Sequence, residues 1–278
     1  MRVDGARCLI TGCSSGIGRA TAVALARAGA RVRATARDLA AIADLAEMGI
    51  ETAALDVTDA AQVERVVADM GTVDVLINNA GYGLEGAVEE ISDDELLAQY
   101  DTNVFGPWRL CRAVLPGMRE RGAGTIVQIS SFGGIAPFPG IGAYRSSKFA
   151  LEGMTWSLDL EVRHFGIRVI AVLPGLVETD FGTRSIRRPR RALQAYDGMR
   201  RSAEEAYPRM SPEGLAPEVV AAAVVRELSA DDGPLHVAVG EDAERLIAAF
   251  RRDEPAYEQY LAHDLGFTWH PARAGGDA

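Results

Sequence analysis

Residues 7–18 read Arg7-Cys8-Leu9-Ile10-Thr11-Gly12-Cys13-Ser14-Ser15-Gly16-Ile17-Gly18 and run directly into RATAVALARAGA. A short apolar run, a glycine-rich turn and a helix-forming stretch follow one another without a break. A second β-rich run, Arg31–Thr35, comes next. Glycine lets the backbone turn tightly and come close to a pyrophosphate, and the N–H groups of the following helix N-terminus meet its charge. A tight strand-to-helix turn needs glycine for its own sake. It is the placement of strand, turn, helix and strand within the first 35 residues that makes a dinucleotide unit the expectation.

Outward from this unit the pattern repeats. Strand candidates are Arg7–Thr11, Arg31–Thr35, Glu51–Asp56, Val73–Asn78, Thr125–Ser130, Arg168–Leu173 and Leu235–Val239. Near-continuous apolar runs of this kind suit strands buried on both faces of a parallel sheet. Helical patterns lie between them at Gly18–Ala28, Asp59–Met70, Asp93–Arg121, Tyr144–Phe165 and Pro217–Leu228. The alternation predicts an α/β fold, a doubly wound and mostly parallel seven-stranded sheet with helices on both faces. One domain over residues 1–278 accommodates it. Ser92 with Glu95 has the spacing of a capping box, and Ser211-Pro212 reads as a helix start. Residues from about 179 to 215 lack a clear period and are expected to form a substrate lid. A helical extension is expected at about 241–270, ahead of a disordered end.

A net charge of −10 argues against a nucleic-acid partner. Cys8, Cys13 and Cys111 have neither disulfide-framework nor zinc-ligand spacing, so reduced thiols and no metal are expected. With no signal-peptide pattern and no apolar run long enough to span a bilayer, a cytoplasmic protein without membrane insertion is the expectation. Of the 29 basic residues all but one are arginine, and the exception is Lys148. A site that needs a compact ammonium resists that exchange.

The end of the second strand bears on which dinucleotide binds. An acid there serves the ribose 2′-hydroxyl of NAD, whereas an arginine accommodates the 2′-phosphate of NADP. Ala36 occupies the acid's place and Arg37 follows, with Ser14 as a further hydroxyl donor, which favours NADP(H). A slip of two residues would instead bring in Asp38 and make NAD(H) possible.

Tyr144-Arg145-Ser146-Ser147-Lys148 opens a helix, and a spacing of four sets Tyr144 and Lys148 on one face. A nearby cation favours the phenolate and tunes the phenol for acid/base work. An amphipathic surface pair is the alternative, against which stands the uniqueness of the lysine. Ser130-Ser131 ends a strand, where a hydroxyl can meet a substrate carbonyl or simply cap a turn. Pro107 has no N–H, so the carbonyl of Asn103 loses its helical partner, which predicts a kink with a polar spot there.

Taken together these residues resemble the short-chain dehydrogenase/reductase family in its one-domain, Rossmann-type form, over about residues 6–180. The resemblance rests on TGCSSGIG at 11–18, DV at 56–57, NNAG at 78–81, Asn103 in NVFG, Ser131 in ISS, YRSSK at 144–148 and PG at 174–175 with Thr179. It implies a catalytic set of Asn103, Ser131, Tyr144 and Lys148, in which Tyr144 passes the proton and Ser131 positions the carbonyl. Lys148 would also bind the nicotinamide ribose, and Asn103 would hold a relay water. The cofactor set it implies is Gly12, Ser14, Ser15, Gly16, Ile17, Gly18, Arg37, Asp56, Val57, Asn79, Ala80, Gly81, Tyr144, Lys148, Pro174, Gly175 and Thr179. Homodimers or homotetramers through the helices at 93–121 and 144–165 are implied as well. NNAGYG and the Ala36-Arg37 pair are similar to the branch holding 17β-hydroxysteroid and retinol dehydrogenases.

The expected function is NADP(H)-dependent interconversion of a ketone or aldehyde and an alcohol, in the sense of reduction of an apolar or bulky carbonyl compound. A non-catalytic dinucleotide-binding sensor or scaffold on the same fold is the alternative. Phe132, Phe138, Pro139, Leu176 and Phe181 would form an apolar pocket or pack the core. Arg184, Arg187, Arg188, Arg190 and Arg191 in the lid would meet an anionic substrate handle, or face solvent.

Overall fold

The computed structural model describes residues 2–178, 185–211, 214–230 and 232–267. Seven parallel strands form its central sheet: β1 (Arg7–Ile10), β2 (Arg31–Ala36), β3 (Glu51–Ala54), β4 (Val75–Asn78), β6 (Gly124–Ile129), β7 (Ile167–Pro174) and β9 (His236–Val239). Their order is β3-β2-β1-β4-β6-β7-β9. The chain therefore winds outward from β1 in one direction, crosses over, and winds outward in the other. Such a reversal opens a crevice at the carboxyl ends of β1 and β4. The remaining two strands, β5 (Gly83–Leu84) and β8 (Ile186–Arg187), make a separate parallel ribbon.

Strand alternation divides the core into two layers. Cys8 and Ile10 of β1 face a cluster with Leu25, Val220 and Val224, while Leu9 faces Leu55, Val63, Leu110 and Met118. Val75 and Ile77 of β4 share the first layer and Leu76 the second. Helices α1 (Gly16–Arg27) and α8 (Pro217–Ser229) pack together over the first layer. Helices α3 (Ala60–Met70), α5 (Gly106–Arg121) and α6 (Gly142–Val162) supply residues to the second. A third cluster, with Phe132, Phe138, Met210, Leu246 and Tyr257, joins the loop after β6 to α7 (Asp197–Met210), α9 (Glu241–Arg252) and α10 (Glu254–Gln259). Cys8, Cys13 and Cys111 are free and buried, and burial pushes each thiol up to about 12, far from reactive range. No helix among the described residues is long and apolar enough to cross a membrane.

Four local expectations are corrected. The stretch 93–121 is not one helix: α4 (Asp93–Tyr100) and α5 flank a π turn over Asp101–Phe105 that contains Asn103. Pro107 cannot donate, and the Gly106 N–H closes the wider turn on the Asp101 carbonyl. Glycine is needed at that point, because a Cβ on Gly106 would stand 2.8 Å from Cγ2 of Val57. Ser211 ends α7 rather than opening α8, which begins at Pro217 after Ala216, and Pro212 lies outside the described residues. The segment that reads as aperiodic contains all of α7, whose buried Met199, Ala203, Ala206 and Met210 recur at helical spacing. Short helix α2 (Ala43–Glu47) adds to the expected set. The capping box is present: the Glu95 carboxylate accepts from the Ser92 N–H at 3.0 Å and from its hydroxyl at 2.6 Å.

Candidate active site

At the carboxyl end of the sheet a cleft of about 780 Å³ runs from the β1–α1 turn to α7. Thr11 fastens its floor. The Thr11 hydroxyl accepts from the backbone N–H groups of Asn79 and Ala80, both at 3.0 Å. The Asn79 carboxamide donates back to the carbonyls of Thr11 (2.9 Å) and Gly12 (3.0 Å). This interlock requires glycine twice. Gly12 has φ +72°, and a Cβ there would stand 2.8 Å from Cα of Ala80, while a Cβ on Gly18 would stand 2.3 Å from Nδ2 of Asn79. Gly18 is buried behind the wall, whereas Gly12, Ser14, Ser15, Gly16 and Ile17 line the cleft. No side chain caps α1 and its first turn has no acid, which leaves its N-terminal N–H groups to a negatively charged ligand. The turn therefore fits the pyrophosphate of a dinucleotide, with Gly12 and Gly18 as the positions a Cβ would block.

β2 ends at Ala36, in the register read from sequence. Ala36 and exposed Arg37 line the cleft. Asp38 does not; its carboxylate turns away and accepts the Ala40 N–H at 2.9 Å, starting a 3₁₀ turn. Asp56 and Val57 lie on the same wall, the Asp56 carboxylate accepting from the Thr58 N–H (2.9 Å) and hydroxyl (2.7 Å). Asn79, Ala80, Gly81, Pro174 and Gly175 also line it. Thr179 lies outside the described residues.

Farther along, Ser131, Tyr144 and Lys148 share one wall. The Ser131 hydroxyl bonds the Tyr144 side chain, and it accepts the Gly133 N–H at 3.0 Å. Burial raises the Tyr144 phenol above its ordinary range, with the Ser131 hydrogen bond and the Arg145 charge pulling against it. This reverses the sequence expectation of a lowered pKa, because desolvation of a phenolate outweighs the cations the protein itself supplies. The Lys148 ammonium donates to the Ile129 carbonyl at 2.9 Å and lies 5.8 Å from the Tyr144 ring centroid. Burial brings its pKa down to about 8, and Glu152 opposes the shift. Asn103 stands behind this wall. Its side chain donates to the Tyr82 carbonyl (2.9 Å) and the Ser147 hydroxyl (3.1 Å), and it accepts the Tyr82 N–H (3.1 Å).

At the far end the lining turns polar. Tyr82, Glu85, Arg145, Arg187, Glu204 and Tyr207 stand there beside Phe132, Ile141 and Leu176. Phe138 belongs to the third core cluster instead. The arginines of the expected lid divide. Arg188 pairs with Glu204 at 3.4 Å, and Arg190 is engaged by Asp94, Glu95 and Ser92. Arg187 lies over the Tyr82 ring at 4.2 Å, and Arg191 is exposed. Arg184 and Phe181 lie outside the described residues.

Four contributors escape a reading of the sequence. Asp242, buried on α9, accepts the Leu176 N–H at 2.7 Å and fills the space beside Gly175, where a Cβ would stand 2.0 Å from Oδ1. No local pattern signals a contact across 66 residues. Glu152 continues the four-residue ladder from Tyr144 and Lys148, and its carboxylate meets His236 at 2.7 Å; the spacing is visible in the sequence, the burial is not. Tyr82 and Arg145 lie inside the motifs NNAGYG and YRSSK, where the pattern alone gives them no task.

The short chain dehydrogenase family profile matches residues 6–189. A 3-ketodihydrosphingosine reductase of Bacteroides thetaiotaomicron is 39% identical over 173 residues, 62% of this chain and under two thirds (64%) of its own length. A short-chain dehydrogenase structure from Streptomyces avermitilis superposes with a TM-score of 0.85 at 39% identity, covering 94% of this chain and 97% of that one. A short chain dehydrogenase from Burkholderia cenocepacia in complex with NADP gives 0.78 at 26% identity, covering 94% and 99%. A profile match that takes in the glycine turn, Ser131, Tyr144 and Lys148, on a doubly wound sheet, has one meaning: this chain belongs to the short-chain dehydrogenase/reductase family of NAD(P)-dependent oxidoreductases.

Proposed function

We propose that the protein reduces a ketone or aldehyde to an alcohol with NADPH, Tyr144 being the proton donor. The observation that carries this reading is the common wall of Ser131, Tyr144 and Lys148, set in the same cleft as the uncapped α1 N-terminus and Arg37. A bound nicotinamide dinucleotide supplies the hydride to the carbonyl carbon and accepts it back in the reverse direction. The Tyr144 hydroxyl gives its proton to the carbonyl oxygen as negative charge develops there. Ser131 donates a hydrogen bond to the same oxygen, holding the carbon toward the cofactor. Lys148, fixed by the Ile129 carbonyl, holds the ribose and stabilises the phenolate left behind. Asn103 secures the backbone of Tyr82 and takes the relay-water role that the family resemblance implies.

Arg37 and Ser14 favour a 2′-phosphate, and the engagement of Asp38 in its own turn removes the competing acid. Residues 185–211, with β8 and α7, serve as the lid over the substrate end. Exposed Leu97, Phe105, Trp108, Phe149, Trp156 and Leu160 on the α4–α5 segment and α6 suit association into a homodimer or homotetramer. The buried thiols suit a cytoplasmic setting. The test is fluorescence titration with NADPH and NADH, followed by NADPH consumption against a panel of ketones and aldehydes. Tighter NADPH binding with turnover is the expected result; tighter NADH binding, or binding without turnover of any carbonyl, overturns it.

A further inference from the structure

Arg145 follows Tyr144 on α6, is 5% exposed, and lines the cleft. Its guanidinium is charged at any working pH, and burying such a charge without a counter-charge is strongly unfavourable. The titratable groups that act on it are the hydroxyls of Tyr144, Tyr207 and Tyr257, with no carboxylate among them. Its one hydrogen bond among the described residues runs from Nη1 to the Ala136 carbonyl at 2.9 Å, and buried Nε has no partner. The group is nonetheless rigidly placed. Its Cζ lies 4.4 Å from the centroid of Phe132 and 5.5 Å from that of Phe138, and a Cβ on Gly133 would stand 2.7 Å from Nη1. Aromatic faces partly compensate a cation but offer no oxygen to its donors.

A fork of donors, fixed by packing and left short of acceptors beside the proton donor, is built to receive an anion. We propose that Arg145 anchors an anion subsite next to the reacting carbonyl, so that the substrate is a keto or oxo compound bearing a carboxylate. The rest of the cleft agrees with this polarity. Glu85 and Glu204 lie with Arg188 on the β5–α7 side, Glu204 pairing with Arg188, and Tyr207 feels both Glu85 and Arg145. The carboxylates on that side face an arginine of their own, whereas Arg145 on the opposite side has no carboxylate acting on it. The handle moves from the lid, where Arg188 and Arg190 have carboxylate partners of their own, to the core of the site.

This inference rests on the oxidoreductase reading for the word substrate, but not for the binding of the anion. The probes are phenylglyoxylate, benzoylacetate and 3-benzoylpropionate, each against its methyl ester, titrated calorimetrically with and without NADP⁺. At least one acid should bind tenfold or more tighter than its ester. Arg145→Met should erase that preference without weakening NADP⁺ binding, and Arg145→Lys should keep part of it. Equal binding of every acid and ester by the unaltered protein, or no binding of any, overturns the subsite, and so does a preference that survives Arg145→Met. Should Arg145→Met not fold, the acid-to-ester ratio of the unaltered protein decides. Failure of the oxidoreductase reading looks different: acids bind selectively, yet no carbonyl compound consumes NADPH.

Discussion

The two ends of the cleft are built on different principles. At the cofactor end the contacts are largely backbone, with the ends of β1 and β4 locked together by Thr11 and Asn79. At the substrate end the wall comes from β8, α7 and the loops after β6 and β7, propped from behind by α9, and buried polar groups such as Nε of Arg145 have no partner among the described residues. A wall locked through backbone hydrogen bonds fixes one ligand shape and resists change. A wall of side chains with unspent hydrogen bonds awaits a ligand that completes it, and its identity is set by few residues. The middle of the cleft, where Tyr144 and Lys148 stand, has to serve both.

The largest effect should appear at that middle. Tyr144→Phe removes the hydroxyl proposed to pass the proton while keeping the ring, so kcat should fall by about 10² to 10⁴-fold. Dinucleotide affinity should stay within about twofold of the unaltered protein in the same fluorescence titration. Retained turnover would transfer the proton to another donor and break the division between the two ends.

Arg37→Ala should act at the cofactor end alone. Loss of a charged partner to a phosphate is worth about 1.5–3 kcal/mol, so NADPH affinity should fall by about 10 to 100-fold while NADH affinity barely moves. An equal loss for both dinucleotides would mean that Arg37 serves the fold rather than the 2′-phosphate.

The same division explains which parts of the molecule are legible in the amino-acid pattern alone. The inner strands β1, β4, β6 and β7 can be read because they are largely buried on both faces and written as near-continuous apolar runs, whereas β3, with no buried residue, is read from the strand–helix alternation around it. The glycine turn can be read because its constraint is steric and local: Gly12 and Gly18 have no room for a Cβ. The four-residue step from Tyr144 to Lys148 is equally local. What escapes depends on distance in the chain. Alanine and methionine mark the buried face of α7 between many charges, a weaker signal than a leucine stripe. Asn103 lies in a π turn that the proline hints at but does not define. Arg145 has no task in the sequence pattern, and its place in the site appears only once the loop at 132–138 and α10 close around it.

Asp242 tests how far the substrate end depends on such late elements. Its carboxylate holds the Leu176 N–H from α9, and Asp242→Ala would strand that N–H. A lost buried partner costs about 1–3 kcal/mol, which in a chain of this size lowers the melting temperature by roughly 2–10 °C. KM for the carbonyl substrate should rise more than Kd for NADPH. A thermal shift with both constants unchanged would reduce Asp242 to a packing residue and weaken the case for α9 as part of the site.

The smallest effect is the most diagnostic of the middle region. Lys148 keeps its ammonium below about pH 8 and loses it above, so the rate of reduction should hold level up to about pH 8 and fall beyond it. Glu152 sustains that charge from one turn farther along α6. Its anion favours the protonated amine, and Glu152→Gln removes the anion while keeping the shape, so the alkaline limb should move to lower pH. At pH 6, where Lys148 remains charged in either protein, the variant should match the unaltered rate; at pH 8 it should be about threefold slower. A merely structural glutamate predicts a different outcome, a uniform loss at every pH with the limb in place. His236 shares the same carboxylate, which makes the direction of the shift the decisive reading. A limb that moves upward would mean that the Glu152 carboxylate does not sustain the charge on Lys148.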